Sequence, residues 1–410
     1  MSIKRNIFFL LGGTALAQIF TFAISPILTR LYTPDDFGVL GIVLAASSII
    51  ATSAHMRLNL AIALTDNLTE AKKVFVSTLS IIVLTSLFCI VGLSIITFTF
   101  TLAEYTFFVL FSIFILSIIN SCIDVYNYWQ SYRLRHKESA RNASARALLT
   151  GFTQVFMSYL SGAGLIIGII IGGIGSLMLF FKDYYKHKEN KINAKMDILY
   201  VITKYKTFPL YSMPQGFLAS FSLNLAPLVL GAKFGIAVAG QYWLAYRILL
   251  APIALFGGAY KQVLHPLFSD KKKCYESKIK LAQKHTVLFL VFFLPIIFFF
   301  FYYSTELFTL FFGENWSKAG IFASWLVLCF GLDIAKIPSV CLIHAFEKHK
   351  DFLIYELILA VFRVLAVSLG VLYLNDIETV TLFSIVSSLF SIVLMCWCLS
   401  GKLFRGKIKC

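Results

Sequence analysis

Charge is scarce in this chain. Asp, Glu, Lys and Arg make up 14% of its 410 residues, 59% are hydrophobic, and the mean hydropathy is +0.82. An ordinary soluble domain carries roughly 25% charged residues, so there is little here from which to build one. The usual marks of an enzyme are missing too: no HExxH, GxSxG, GxGxxG or Walker A sequence occurs. The absence of Walker A argues against an ATP-driven pump. Membrane transferases and polymerases usually need acidic or His residues on a sizeable surface loop, and the outer loops here are tiny apart from about 304–319. The eight cysteines, Cys89, Cys122, Cys274, Cys329, Cys341, Cys396, Cys398 and Cys410, are scattered without a CxxC pair. They read as free thiols, small and apolar, rather than as a zinc site or a disulfide framework. No catalytic group, metal or cofactor is expected.

Apolar sequence is plentiful. Twelve segments are long enough to cross a bilayer as helices, the form in which a chain in lipid satisfies its own backbone hydrogen bonds. The first half holds 7–28, 38–54, 74–97, 106–128, 145–160 and 163–181. The second holds 209–230, 236–258, 286–303, 320–345, 352–373 and 380–400. The first run is too long for a cleavable signal peptide, and Thr33-Pro34-Asp35-Asp36 after it is no cleavage site, so the run is expected to stay as a helix.

The positive charge tests this alternation. With the N-terminus inside, thirty of the 36 Lys and Arg residues fall in inner segments, three in outer ones, and Arg247, Lys336 and Arg363 within spans. Such a bias predicts that both termini lie on the inner side, N-in and C-in. It also explains the net charge of +16, which in a soluble protein would suggest nucleic acid. Here it points to anionic lipid headgroups, and no nucleic-acid partner is expected.

The longest polar stretch divides the spans six and six. The predicted fold is an all-α polytopic membrane protein of about twelve transmembrane helices in two bundles. Residues 1–182 form the first, 183–207 a cytoplasmic linker and 208–410 the second. Pro26 and Pro227 occupy similar places in the first span of each half, as in transporters built from repeats.

A charge in a span costs about 2.5–3.5 kcal/mol on insertion scales, which marks such residues as candidates. Arg247 lies near the middle of the eighth span and Arg363 in the middle of the eleventh, each with no acid within one turn. Asp333 and Lys336 share a face of the tenth and can neutralise each other at i,i+3. Asp124 sits in the fourth span and Glu356 near the end of the eleventh. Both are candidates for ion coupling or for partnering a cation, with snorkelling to headgroups as the structural alternative. Arg30 and Arg57, at opposite ends of the first two spans, either line the same route or anchor the helices at the interface. Arginines facing a cavity would hold something anionic, and a guanidinium suits phosphate. The alternative is a buried inter-helix pair such as Arg363 with Asp333.

Several stretches resemble one family. ISPILTRLYTPDDFGVLG at 24–41 and RLNLAIAL at 57–64 resemble the first-loop and second-span motifs of the Wzx-type O-antigen and polysaccharide flippases. YKTFPLYSMPQGFLASFSLNLAPLVL at 205–230 and AVAGQYWLAYRILLAPIAL at 237–255 are similar to the start of that family's second half. LFTLFFGENWSKAG at 307–320 resembles its outer loop between spans nine and ten. The resemblance implies membership of the multidrug/oligosaccharidyl-lipid/polysaccharide (MOP) exporter superfamily, whose two six-helix bundles alternate access to a central cavity. It implies an undecaprenyl-pyrophosphate-linked oligosaccharide as substrate, membrane lipids and polysaccharide polymerase machinery as partners, and a bacterial inner membrane as location. Arg30, Arg57 and Arg247 carry over from its motifs. The family commonly has Glu two positions after the Arg of the second motif; here Asn59 stands there, so coupling through that carboxylate does not carry over. A drug exporter of the same superfamily is the second reading, and a membrane polymerase a more distant third. A drug and cation antiporter would show lone acids in its spans rather than excess cations.

Overall fold

A computed structural model describes residues 3–65, 67–99, 106–186, 197–269, 275–346 and 348–400. All regular structure among them is helical. The helices are α1 (Ile3–Leu31), α2 (Pro34–Ala54), α3 (Asn59–Ile62), α4 (Leu68–Thr99), α5 (Thr106–Tyr132), α6 (His136–Phe156), α7 (Gly162–Lys186) and α8 (Ile198–Lys204). They continue with α9 (Met213–Phe234), α10 (Ile236–Ser269), α11 (Tyr275–Phe312), α12 (Ser317–Ala335), α13 (Ile337–Ala345), α14 (His349–Tyr373) and α15 (Asp376–Leu399). Each of the twelve apolar segments falls on a helix, the tenth on the consecutive pair α12 and α13. Among the described residues nine helices are long and apolar enough to cross a membrane, and the apolar part of α1, Ala15–Leu31, is shorter. The remaining two segments fall on α6 and α10.

Several helices outrun the apolar segments. α6 starts at His136 rather than near 145, and α11 at Tyr275 rather than 286. Polar first turns of a helix extend a span without raising its hydropathy, so the apolar run marks only its middle. In α6 those turns are held by neighbours: Arg141 Nη2 donates to both carboxylate oxygens of Asp183 of α7, at 2.6 and 2.8 Å. Within the linker 183–207, residues 187–196 lie outside the described residues, as do Lys271, Lys272 and Lys273 and the basic tail 401–410.

Turn chemistry fixes two helix starts. Thr33 caps α2 in a capping box with Asp36, and Pro34 occupies the first turn, where its missing N–H costs nothing. Asn375 and Glu378 make the same box at α15. Both α1 and α9 run on past their prolines, Pro26 and Pro227.

The chain falls into two compact units, Met1–Asn224 and Leu225–Cys410. In the first, α1 packs on α6, and α6 on α7. Its core is aromatic: Tyr126 stacks on Phe180 at 3.8 Å and donates its hydroxyl to the Phe180 carbonyl, while Phe75 sits against Trp129. The first turns of α9 belong to this unit, with Ser220 donating to the Ser48 carbonyl of α2. In the second unit α12 is central, packed on α10, α11 and α15. Large apolar side chains such as Phe107, Phe298, Phe299 and Tyr302 stay exposed, as expected of surfaces that meet lipid rather than water.

Candidate functional site

A cluster of polar and charged side chains lies among the helices of each unit. In the first, α2 ends at the buried His55, and the chain then turns through Met56 and Arg57, whose φ angles are +47° and +57°. Two successive non-glycine residues in this region store strain, about 1–3 kcal/mol each, and such strain collects at functional sites. The Arg57 N–H donates to His55 Nδ1 at 3.1 Å. That leaves the proton of neutral His55 on Nε2, which lies 4.0 Å from Asp124 Oδ2 of α5.

Asp124 is within electrostatic reach of two arginines, Arg57 and Arg146. Arg146, on α6, donates to Asn120 Oδ1 at 2.9 Å. The Arg57 guanidinium lies against Gly216 of α9, so close that a methyl added there would collide with it. Its Nε is buried with no hydrogen-bond partner among the described residues. Two arginines thus face one carboxylate, leaving an excess positive charge. Asn59 is buried at the start of α3, its side-chain oxygen accepting from the Leu60 N–H.

The second cluster joins α12, α14 and α15. Lys336, where α12 gives way to α13, pairs with Asp333 at 2.6 Å. Ser391 donates to Asp333 Oδ1 at 2.9 Å, and Lys336 reaches Ser391 Oγ at 3.4 Å. One turn away, Ser387 Oγ accepts from Arg363 Nε at 2.9 Å, and the Arg363 guanidinium stands over the Phe383 ring. Arg363 is 4% exposed. Glu356, two turns before Arg363 on α14, lies within electrostatic reach of Lys336 and Arg363. Two cations and two anions make this cluster neutral within itself. Among the described residues no ion pair joins Arg363 to Asp333; the two are linked instead through Ser387 and Ser391.

Arg247 stands apart. It is half-buried on α10, beside the stacked pair Trp243 and Tyr246, and has no hydrogen-bond or ion-pair partner among the described residues. Arg30 sits exposed in the last turn of α1, where a cation complements the helix dipole. The 21 residues of α2 put about 30 Å between Arg30 and Arg57, so they do not share one binding point.

Sequence reasoning missed His55, Arg146, Asn120, Ser387 and Ser391. Arg146 was counted with the inner basic residues, at the very edge of the span 145–160, because hydropathy began α6 late, although ASARAL is rich in helix formers. Ser384, Ser387 and Ser391 are all buried and recur at i, i+3 and i+7 on α15, a stripe that was legible as a polar face. No group of three or more His, Cys, Asp or Glu is gathered as metal ligands among the described residues.

Residues 27–320 match the family described as "Polysaccharide biosynthesis protein". No curated protein matches the chain. Among solved structures, the lipid II flippase MurJ in an inward closed conformation is similar at 14% identity and TM-score 0.66, over 94% of this chain and 87% of that one. A multidrug resistance MATE family transporter of the MOP superfamily is similar in two states. The inward-facing one gives TM-score 0.58 at 14% identity, over 100% of this chain and 97% of that one. The outward-facing one gives 0.59 at 13%, over 100% and 98%. At such identities the likeness is one of fold.

Proposed function

Since this chain belongs to the polysaccharide biosynthesis protein family and has the fold of MOP-superfamily transporters, we propose that it is a flippase for a lipid-linked oligosaccharide. The substrate is an undecaprenyl-pyrophosphate-linked repeat unit of a surface polysaccharide, moved from the inner to the outer leaflet of a bacterial inner membrane by alternating access. Both termini face the cytoplasm, residues 1–182 and 208–410 act as the two bundles, and the linker 183–207 joins them. The protein performs no covalent chemistry; a polymerase takes up the product.

The observation that carries this reading is Arg247. A guanidinium halfway along a membrane helix, without a partner among the described residues, is costly to bury and serves no packing purpose that Leu would not serve better. A pyrophosphate supplies the missing counter-charge and matches its paired donors. Arg57, whose Nε is also unpartnered, does the same in the first bundle. Arg30 receives or releases the headgroup at the membrane surface. Arg363 and Lys336 act differently from Arg247. Their charges are balanced by Asp333 and Glu356 through the serine relay, so they exchange partners when the anion or a coupling ion arrives. Asp124 has the corresponding position in the first bundle. A drug exporter for cations fits less well, because among the described residues Asp124, Asp333 and Glu356 each have a cation within electrostatic reach.

Complementation tests the proposal. The gene should restore surface polysaccharide to a strain lacking its flippase, and Arg247→Ala should abolish that while the protein still inserts. Full restoration by Arg247→Ala would remove the anion-binding role.

A further inference from the structure

The C-terminal end of α5 carries a second feature, distinct from the arginine beside it. Asn127, Tyr128, Ser131 and Tyr132 follow one another at i, i+1, i+4 and i+5, and so share a face of the helix. Together with Ala63, just past α3, they line an open cleft of about 400 Å3. That lies within the roughly 300–1,000 Å3 of small-molecule pockets. The Asn127 amide and the Ser131 hydroxyl have no hydrogen-bond partner among the described residues. Among the described residues no charged side chain lines the cleft, yet Tyr128 is within electrostatic reach of Arg57 and Asp124.

The lining selects its ligand by chemistry. A bare phosphate would need a cation in the wall, and a lipid tail would need a wall without amides and hydroxyls. What is present is neutral donors and acceptors beside two aromatic rings. The amide and hydroxyls can exchange hydrogen bonds with a polyhydroxylated ring, and a tyrosine face can cover its apolar C–H side. All of these residues lie in the first unit, next to the arginine with an unpartnered Nε.

We propose that this cleft is a saccharide subsite, which holds the sugar nearest the pyrophosphate while Arg57 faces the phosphates. The proposal rests on the flippase reading above and deepens it: the protein reads the glycan as well as the charge.

The test compares two probes on the full-length protein in nanodiscs of neutral lipid. One is the lipid-linked oligosaccharide that accumulates in the source strain when this protein is deleted. The other is undecaprenyl pyrophosphate without sugar. The wild type should prefer the glycosylated lipid. Asn127→Ala combined with Ser131→Ala should cut that preference about tenfold, the loss expected for two hydrogen bonds. Ser131→Trp, which fills the cleft, should do the same. Arg57→Ala should weaken both probes together. Binding of the sugar-free lipid shows that each variant is folded. Equal wild-type affinity for the two probes, or a preference that survives in both cleft variants, overturns the subsite and leaves the flippase reading standing. Binding of neither probe by the wild type overturns the flippase reading, and the subsite with it.

Discussion

A single arginine separates transport of an anion from mere structure, so the residue scale holds the sharpest tests. Arg247 has no partner among the described residues that its removal would strand, and its alanine variant should fold; loss of complementation then reports on the ligand. Arg247→Lys should keep part of the activity, since the point charge survives but the paired donors do not. Full activity of the alanine variant would contradict this. Arg363 should behave otherwise. It is buried on Ser387, so Arg363→Ala should lower thermal stability in detergent by about 1–3 kcal/mol as well as reduce transport. At Gly216 an added methyl meets only the tip of Arg57, which can move aside. Gly216→Ala should therefore express normally but lose affinity for undecaprenyl pyrophosphate; unaltered affinity would detach Arg57 from the site. The lone arginines and the Asp333–Lys336 pair were visible in the sequence, because spacing along one helix reveals a local partner or its lack. The serine relay was not, because partners on other helices appear only once those helices are packed.

At the scale of elements, hydropathy found the middles of the helices, while the capping chemistry at two of their ends went unread. TPDD and NDIE announce the starts of α2 and α15. The start of α6 was hidden, since its charges are satisfied by Asp183 and Asn120 on neighbouring helices. Helix packing also rests on small residues. On α12, a methyl at Gly320 would meet the Thr305 Cα at 2.5 Å and the Ser304 carbonyl at 2.8 Å, both backbone of α11. Gly320→Ala should thus destabilise by roughly 1–3 kcal/mol, seen as a lower melting temperature in detergent. An unshifted melt would mean the helices can separate freely there. The short helix α8 makes a pH-dependent contact. Asp197 caps it through the Tyr200 N–H and pairs with Lys73 of α4 at 3.0 Å. The backbone N–H of Tyr200 first, then Lys73, holds the Asp197 carboxyl below its usual range. A depressed carboxyl stabilises the fold above its unfolded value of about 3.9 and loses that contribution as pH falls through the folded value. Protection of the α8 amides, relative to their intrinsic exchange rate at each pH, should accordingly fall in acid below about pH 4, and in Asp197→Ala it should be low at neutral pH. Exchange that ignores both changes would refute the contact.

For the whole molecule, the order of twelve apolar segments was enough to anticipate an all-helical membrane fold, because lipid leaves the backbone so few options. The division of labour among charges was not, since it depends on which cations are already balanced. Orientation follows from the positive charge: reporter fusions at Tyr185 and His285 should read as cytoplasmic, and those at Ser317 and Asn375 as external. A cytoplasmic signal at Ser317 would break the twelve-span alternation. The most direct measurement uses purified protein in liposomes loaded with lipid-linked oligosaccharide in the inner leaflet and a glycan-cleaving enzyme outside. The account predicts that glycan becomes accessible to that enzyme, that without the enzyme its mass stays unaltered, and that Arg247→Ala liposomes remain protected. Glycan that stays protected with the wild-type protein, or that is lengthened or released by the protein alone, would contradict it.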